Sequence, residues 1–319
     1  MKAKDAAPRT RLAARELLLP LAALSAAVLV WGTTFVVSSD ALDKTSPAVL
    51  TVLRFAVAAL VLVPLAVGRP EWRQTIWSWN TAVLGLTGVA AYYGLQNAGL
   101  LTTPAGTAAL LQGVLPLATA ALGVAWLGER PGPVAGLGLV VATAGMVIVA
   151  GAELSGLDAG AALIVGGVVA YAAYTVRLQA RPLADVVVLA AATCVWGLAF
   201  LIPWLAWETI NGQSAFSVST SLVIAVCYLG LAASAGTLLL WTYGAARVPS
   251  TVAGAFTAAI PAVGYALAAL TGQGHTMSRT LAALLTLCGA VIVTLADRGH
   301  PTQDEQCSEP VDGPRPGDV

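Results

Sequence analysis

Arg54 sits seven residues into an apolar run that opens at Pro47, about 10 Å deep at the rise of a helix, and no other charge in the sequence lies so far inside such a run. A guanidinium keeps its proton, so in a nonpolar setting it needs acceptors or an anion. Two readings stand: Arg54 serves a bound solute, or it snorkels outward to Asp40, Asp43 and the lipid headgroups. The amides of Gln96, Asn97 and Gln112 also fall in apolar runs, where an unpaired amide is costly, so they should face an interior. Gln96 and Asn97 could instead cap a helix end. Trp31, Thr34, Tyr93, Tyr171, Tyr174, Trp241 and Tyr265 recur among glycines and alanines. With Gln96 and Gln112 they are expected to line an amphiphilic cavity for a neutral, zwitterionic or aromatic small molecule. Trp72, Trp77, Trp79, Trp204 and Trp207 read as an interfacial belt. No Asp, Glu or His falls near the middle of an apolar run. The sequence therefore offers no proton relay, metal site, cofactor motif or nucleophilic triad. Proton coupling would have to use a loop acid such as Asp40 or Glu129.

The elements that position these groups follow from composition. Hydrophobic residues make up 58% of the 319 and charged ones 10%, with mean hydropathy +0.81. A soluble core cannot absorb that, since globular chains carry about 25% charge. The chain reads as all-α and polytopic, with the bilayer as its solvent and a small-molecule substrate as its partner. The net charge of zero says nothing by itself about nucleic acid; the placement of the 16 basic residues carries the information, and no nucleic-acid partner is expected. Cys194, Cys227 and Cys288 lie in apolar runs and Cys307 in a polar stretch, so no disulfide framework is expected.

At about 20 residues per crossing, ten spans are expected: 17–37, 47–67, 78–98, 104–126, 134–151, 159–177, 186–207, 220–243, 250–270 and 278–296. The first is too long for a signal-peptide core. With the N-terminus in the cytoplasm, thirteen of the 16 basic residues fall in inside segments, only Lys44 and Arg279 fall outside, and Arg54 lies within a span. The acids Asp40, Asp43, Glu153, Asp158 and Glu208 are placed in outside loops. Residues 1–16 form a basic cytoplasmic segment, 152–158 a connecting loop and 298–319 a disordered cytoplasmic tail.

Residues 103–151 return in 247–297. A shift of 145 lays Pro104 on Pro249 and Pro116 on Pro261, and a one-residue slip lays Gly145 on Gly289. The chain thus divides into five-helix units, 17–151 and 159–297. Five is odd, so the second unit must be inverted in the membrane relative to the first. Pro116 and Pro261 break matched helices, which is either a packing kink or the mark of a midplane binding site.

Ten spans in a 5+5 inverted repeat, with Trp31-Gly32-Thr33-Thr34-Phe35, Leu53-Arg54-Phe55 and Leu127-Gly128-Glu129-Arg130 in that order, resemble the EamA-type exporters of the drug/metabolite transporter superfamily. The resemblance covers residues 17–297. It implies alternating access and export of amino acids, related metabolites or drug-like compounds across a bacterial inner membrane. Arg54 and Glu129 match family positions, whereas the second-half counterpart of Glu129 is Gln273. The competing class is an intramembrane enzyme acting on lipid or isoprenoid, which would need acids or histidines at headgroup level.

Overall fold

The computed structural model describes residues 6–151, 159–179, 185–257, 259–260, 262–263 and 277–297. Apart from a single bridge between Thr45 and Phe216, its regular structure is helical among the described residues. The helices are α1 (Ala6–Leu42), α2 (Pro47–Val67), α3 (Trp72–Ile76), α4 (Trp79–Gly85), α5 (Tyr92–Gly99), α6 (Ala105–Leu111) and α7 (Leu115–Leu122). They continue as α8 (Pro133–Gly151), α9 (Ala159–Gln179), α10 (Val186–Ile210), α11 (Thr220–Gly230), α12 (Thr237–Ala245), α13 (Ser250–Thr257) and α14 (Met277–Asp297).

Among the described residues, six runs are long and apolar enough to cross a membrane: Leu17–Leu42, Pro47–Val67, Thr107–Leu127, Ala159–Gln179, Val186–Ile210 and Thr220–Ala245. Of the other four expected spans, the third is α4–α5, the fifth α8 and the tenth α14, while the ninth is described only in part. The outer faces of α2, α8, α10 and α11 are apolar, with Leu60, Val140, Ile202 and Ile224 all exposed. That is the expected surface of helices solvated by lipid. The basic N-terminal stretch is helical from Ala6 onward, continuous with the first span. The loop 152–158, the tail 298–319, Pro261 and Tyr265 lie outside the described residues.

Helix breaks follow the sequence locally. Pro116 cannot donate to the carbonyl four residues back, that of Gln112, and a 3-10 turn at Gln112–Val114 separates α6 from α7. Two π-helical turns interrupt other spans, Leu86–Ala91 between α4 and α5 and Leu231–Gly236 between α11 and α12. They stand at the same 145-residue offset, as do the glycines before them, Gly85 and Gly230, and the pair Gly99 and Gly244.

Packing repeats the same correspondence. A Cβ on Gly85 would meet Trp196, Gly197 and Thr193 of α10, and one on Gly230 would meet Val57 and Arg54 of α2. Gly99 abuts Gly160 at the start of α9, and Gly244 abuts Pro20 and Leu24 early in α1. Small residues let membrane helices approach where lipid supplies no hydrophobic drive. At the centre α2 and α10 run antiparallel. The start of α2 meets the end of α10 through Ser46 Oγ donating to Glu208 at 2.6 Å, and Arg69 beyond the end of α2 pairs with Asp185 before α10. Helices α8 and α14 are antiparallel as well, with Gly138 against Val293 and Ala142 against Gly289.

Candidate functional site

The interior holds a cluster of aromatic rings drawn from α1, α5, α9 and α12. Tyr171 is its hub, with ring centroids 5.5 Å from Trp31, 4.5 Å from Tyr92, 5.1 Å from Tyr174 and 5.8 Å from Trp241. Trp31 and Trp241 approach to 4.9 Å, and Tyr93 joins through Tyr92 at 4.6 Å and Phe55 at 4.9 Å. These are edge-on or tilted contacts, the arrangements that ring quadrupoles favour. Every ring is at most 5% exposed, so the cluster is closed off from solvent. Three of its polar tips are met by neighbours: Tyr174 Oη and Thr242 Oγ1 lie 3.1 Å apart, Trp241 Nε1 donates to Thr175 at 3.3 Å, and Tyr92 Oη donates to Gln112 Oε1 at 3.1 Å, whereas Trp31 Nε1 is buried without a partner.

Arg54 lies beside this cluster and is fully buried. Its Nε donates to Ser234 Oγ at 2.9 Å and its Nη2 to the Ala233 carbonyl at 3.2 Å, both in the second π turn. Its guanidinium carbon stands 4.3 Å from the Tyr93 ring centroid, while Nη1 has no hydrogen-bond partner. The side chain therefore points inward and does not snorkel. A lone charge at such depth costs roughly 2.5–3.5 kcal/mol by insertion measurements, which hydrogen bonds and the ring face offset in part.

The other sequence candidates divide. Gln112 is buried, with Nε2 unpartnered, and Pro116 lies four residues on, where its backbone packs against Gly254 of α13. Gln96 and Asn97 are buried rather than capping at the surface; Asn97 Nδ2 donates to Thr51 Oγ1 at 2.8 Å. Thr34 is buried, but its hydroxyl is spent on the Trp31 carbonyl of its own helix, 2.8 Å away. Glu129 stands outside the cluster, in the turn after Gly128, whose φ of 68° suits glycine. Pro261 and Tyr265 lie outside the described residues. Among the described residues no three acids, histidines or cysteines are grouped to hold a metal.

Two placements need correction. Asp40 lies in the last turn of α1, exposed, rather than in a loop. Glu208 is no loop acid: it lies within α10, 4% exposed, accepting from Ser46 Oγ and the Ala48 N–H at 3.2 Å. It caps the N-terminus of α2 from a neighbouring helix, and the free N–H groups and positive end of that helix make the acid tolerable there. At the opposite end Asp185 caps α10, accepting from Val187 and Val188 N–H groups at 2.9 and 3.2 Å. Partial burial pushes its carboxyl upward, but hydrogen bonds from Val188, Arg69 and Val187 and the Arg69 charge hold it below the ordinary aspartate value.

The cavity lining expected from the sequence left out Tyr92, Ser234, Thr175 and Thr242, and Phe55 entered only within the stretch Leu53-Arg54-Phe55. Adjacent Tyr92 and Tyr93 would diverge by about 100° on an α-helix, yet both turn inward immediately after the π turn. The 145-residue recurrence of Gly85 was the available signal for that turn.

Comparison with known proteins places this architecture. The chain is 32% identical over 237 residues to a probable terminal-alkyne amino-acid exporter of Streptantibioticus cattleyicolor, covering 71% of this chain and 76% of that one. It is 26% identical to the uncharacterized inner membrane transporter YedA of Escherichia coli K12, over 88% of this chain and 92% of the relative. A solved crystal structure superposes with a TM-score of 0.72 at 22% identity, covering 89% of this chain and 98% of the other, which is a likeness of fold. The model of the EamA-like transporter family matches twice, over residues 18–151 and 158–295, and the chain belongs to that family of membrane transporters.

Proposed function

We propose that the chain is a secondary transporter that exports small metabolites, amino acids or related compounds, or drug-like solutes, across the inner membrane. Residues 17–151 and 159–297 act as two five-helix units of opposite orientation, giving ten spans with both termini cytoplasmic. Access to a central site alternates between the two membrane faces. The observation that carries this reading is the aromatic cluster itself. Trp31, Tyr92 and Tyr93 come from the first unit and Tyr171, Tyr174 and Trp241 from the second, so relative motion of the units must open or close it. The antiparallel pairs α2/α10 and α8/α14, the matched π turns and the doubled family match support two inverted copies. The exporter named among the relatives handles an amino acid, which supports that class of cargo here.

Uptake into inverted vesicles tests the reading, with a panel of amino acids, a terminal-alkyne amino acid and lipophilic cations, each with and without a pH gradient. Accumulation of at least one solute above protein-free vesicles is expected. A flat result across the panel overturns the transport reading, and the gradient arm reports whether protons drive it.

A further inference from the structure

Arg54 is fully buried and only partly satisfied. Nε and Nη2 are committed to Ser234 and Ala233, Tyr93 and Phe55 present ring faces at 4.3 and 5.5 Å, and Nη1 has no acceptor. One turn away on the same helix, Thr51 holds Asn97, whose Oδ1 is also buried and unpartnered. The orientation of that amide is fixed by chemistry. The Thr51 hydroxyl donates to the Pro47 carbonyl at 2.6 Å, so toward Asn97 it can only accept, which directs Nδ2 to Thr51 and leaves Oδ1 bare. Arg54 and Thr51 are one turn apart on α2, and the residues they meet, Tyr93 and Asn97, are one turn apart on α5, so both unmet groups belong to one α2/α5 contact.

We infer that Arg54 Nη1 and Asn97 Oδ1 form the head-group seat of the transported molecule, taking a carboxylate on the guanidinium and an ammonium on the amide oxygen of the adjacent turn. The inference rests on the transporter reading above and names the residues that read the cargo. Nη1 is one donor group, enough for a monoanion; a phosphate dianion would find the rest of the guanidinium already engaged. The ring cluster beside Arg54 receives the apolar remainder of the molecule. The seat joins α2 and α5 to the π turn of the second unit through Ser234, so head-group binding would be sensed by both units.

Three probes of one size separate the parts: L-phenylalanine, 3-phenylpropionate without the amine, and 2-phenylethylamine without the carboxylate. Binding to the purified full chain is read by tryptophan fluorescence, since Trp31 and Trp241 report from within the cluster. Phenylalanine is expected to bind tightest, phenylpropionate next, and phenylethylamine about tenfold or more weaker than the acid, given the strength of charge-assisted hydrogen bonds. Arg54→Gln should abolish the preference for the acid and Arg54→Lys should keep part of it. Asn97→Leu should bring phenylalanine down to the level of phenylpropionate without weakening the latter. The comparison of probes on the unaltered chain needs no variant to fold. Equal binding of the amine, no saturable signal from any probe, or an acid preference that survives in Arg54→Gln overturns the seat. Transport of other solutes alongside any of those results leaves the transporter reading intact. Acid-selective binding without transport of any solute keeps the seat and sinks the transporter reading.

Discussion

Gly85 and Gly230 offer a quantitative test of the two-fold correspondence. A Cβ on Gly85 would lie 2.5 Å from Trp196 Cβ and 2.8 Å from the Gly197 nitrogen; one on Gly230 would lie 2.6 Å from Val57 Cβ and 3.0 Å from the Arg54 carbonyl oxygen. An ordinary carbon contact is about 3.6 Å, so either alanine must open its helix crossing by roughly 1 Å. Neither crossing can give cheaply, because the opposing atoms are backbone, Cβ or the Cγ1 of the stiff, β-branched Val57. Overpacking of this kind costs about 1–3 kcal/mol, and Gly85→Ala and Gly230→Ala should lose similar amounts in reversible unfolding in mixed micelles. The two crossings meet where Cys194 Sγ of α10 donates to the Phe55 carbonyl of α2 at 3.4 Å. Both insertions therefore load one α2/α10 contact, and the double variant should depart from additivity by at least about 0.5 kcal/mol. Gly230→Ala displaces the Arg54 backbone and should also slow transport more than Gly85→Ala does. The reasoning is refuted if either single variant unfolds like the wild type, or if the two losses differ by more than about 2 kcal/mol.

Glu208→Ala removes the acceptor for Ser46 and Ala48 and should cost about 0.5–2 kcal/mol in the same unfolding measurement, while Glu208→Gln, which keeps a side-chain acceptor, should lose less. Asp185 has its folded-state acidity strengthened, so its contribution is present above the unfolded value near 3.8 and is lost as pH falls through the lower folded value. The stability gap between wild type and Asp185→Asn should accordingly be constant from pH 7 to about 5 and shrink below pH 4; a gap that grows on acidification would contradict this. Tyr174→Phe deletes the contact with Thr242 that ties α9 to α12 and should cost about 1 kcal/mol, with fluorescence from the neighbouring tryptophans otherwise preserved.

Depth along a helix was legible in the sequence, whereas direction around it was not. The spacing from Pro47 placed Arg54 far inside a span, and the buried guanidinium agrees. Whether it turned inward depended on Ser234, 180 positions away, which no local pattern could supply. Gln96, Asn97 and Gln112 were expected to face the interior because an unpaired amide is costly against lipid, and all three are buried, as are Trp31, Tyr171, Tyr174 and Trp241. Tyr92 was left out of the expected lining; it and its neighbour Tyr93 are both buried directly after the π turn, where regular α-helical periodicity does not hold. Glu208 was misplaced for a different reason. Acids are normally excluded from hydrocarbon, and the exposed N–H groups of α2 that accommodate this one come from the other half of the chain.

The meeting of α8 and α14 sets a mechanical limit. The Gly138 carbonyl lies 2.5 Å, and Ala142 Cα 2.7 Å, from where a side chain on Gly289 would begin, so the two backbones interlock like a dovetail. A dovetail resists travel along its length: a slip by one residue would drive a methyl or isopropyl group into main-chain atoms. Under the alternating access proposed above, rocking of the two units would swing about this joint, with the largest displacements at the far rim of the bundle.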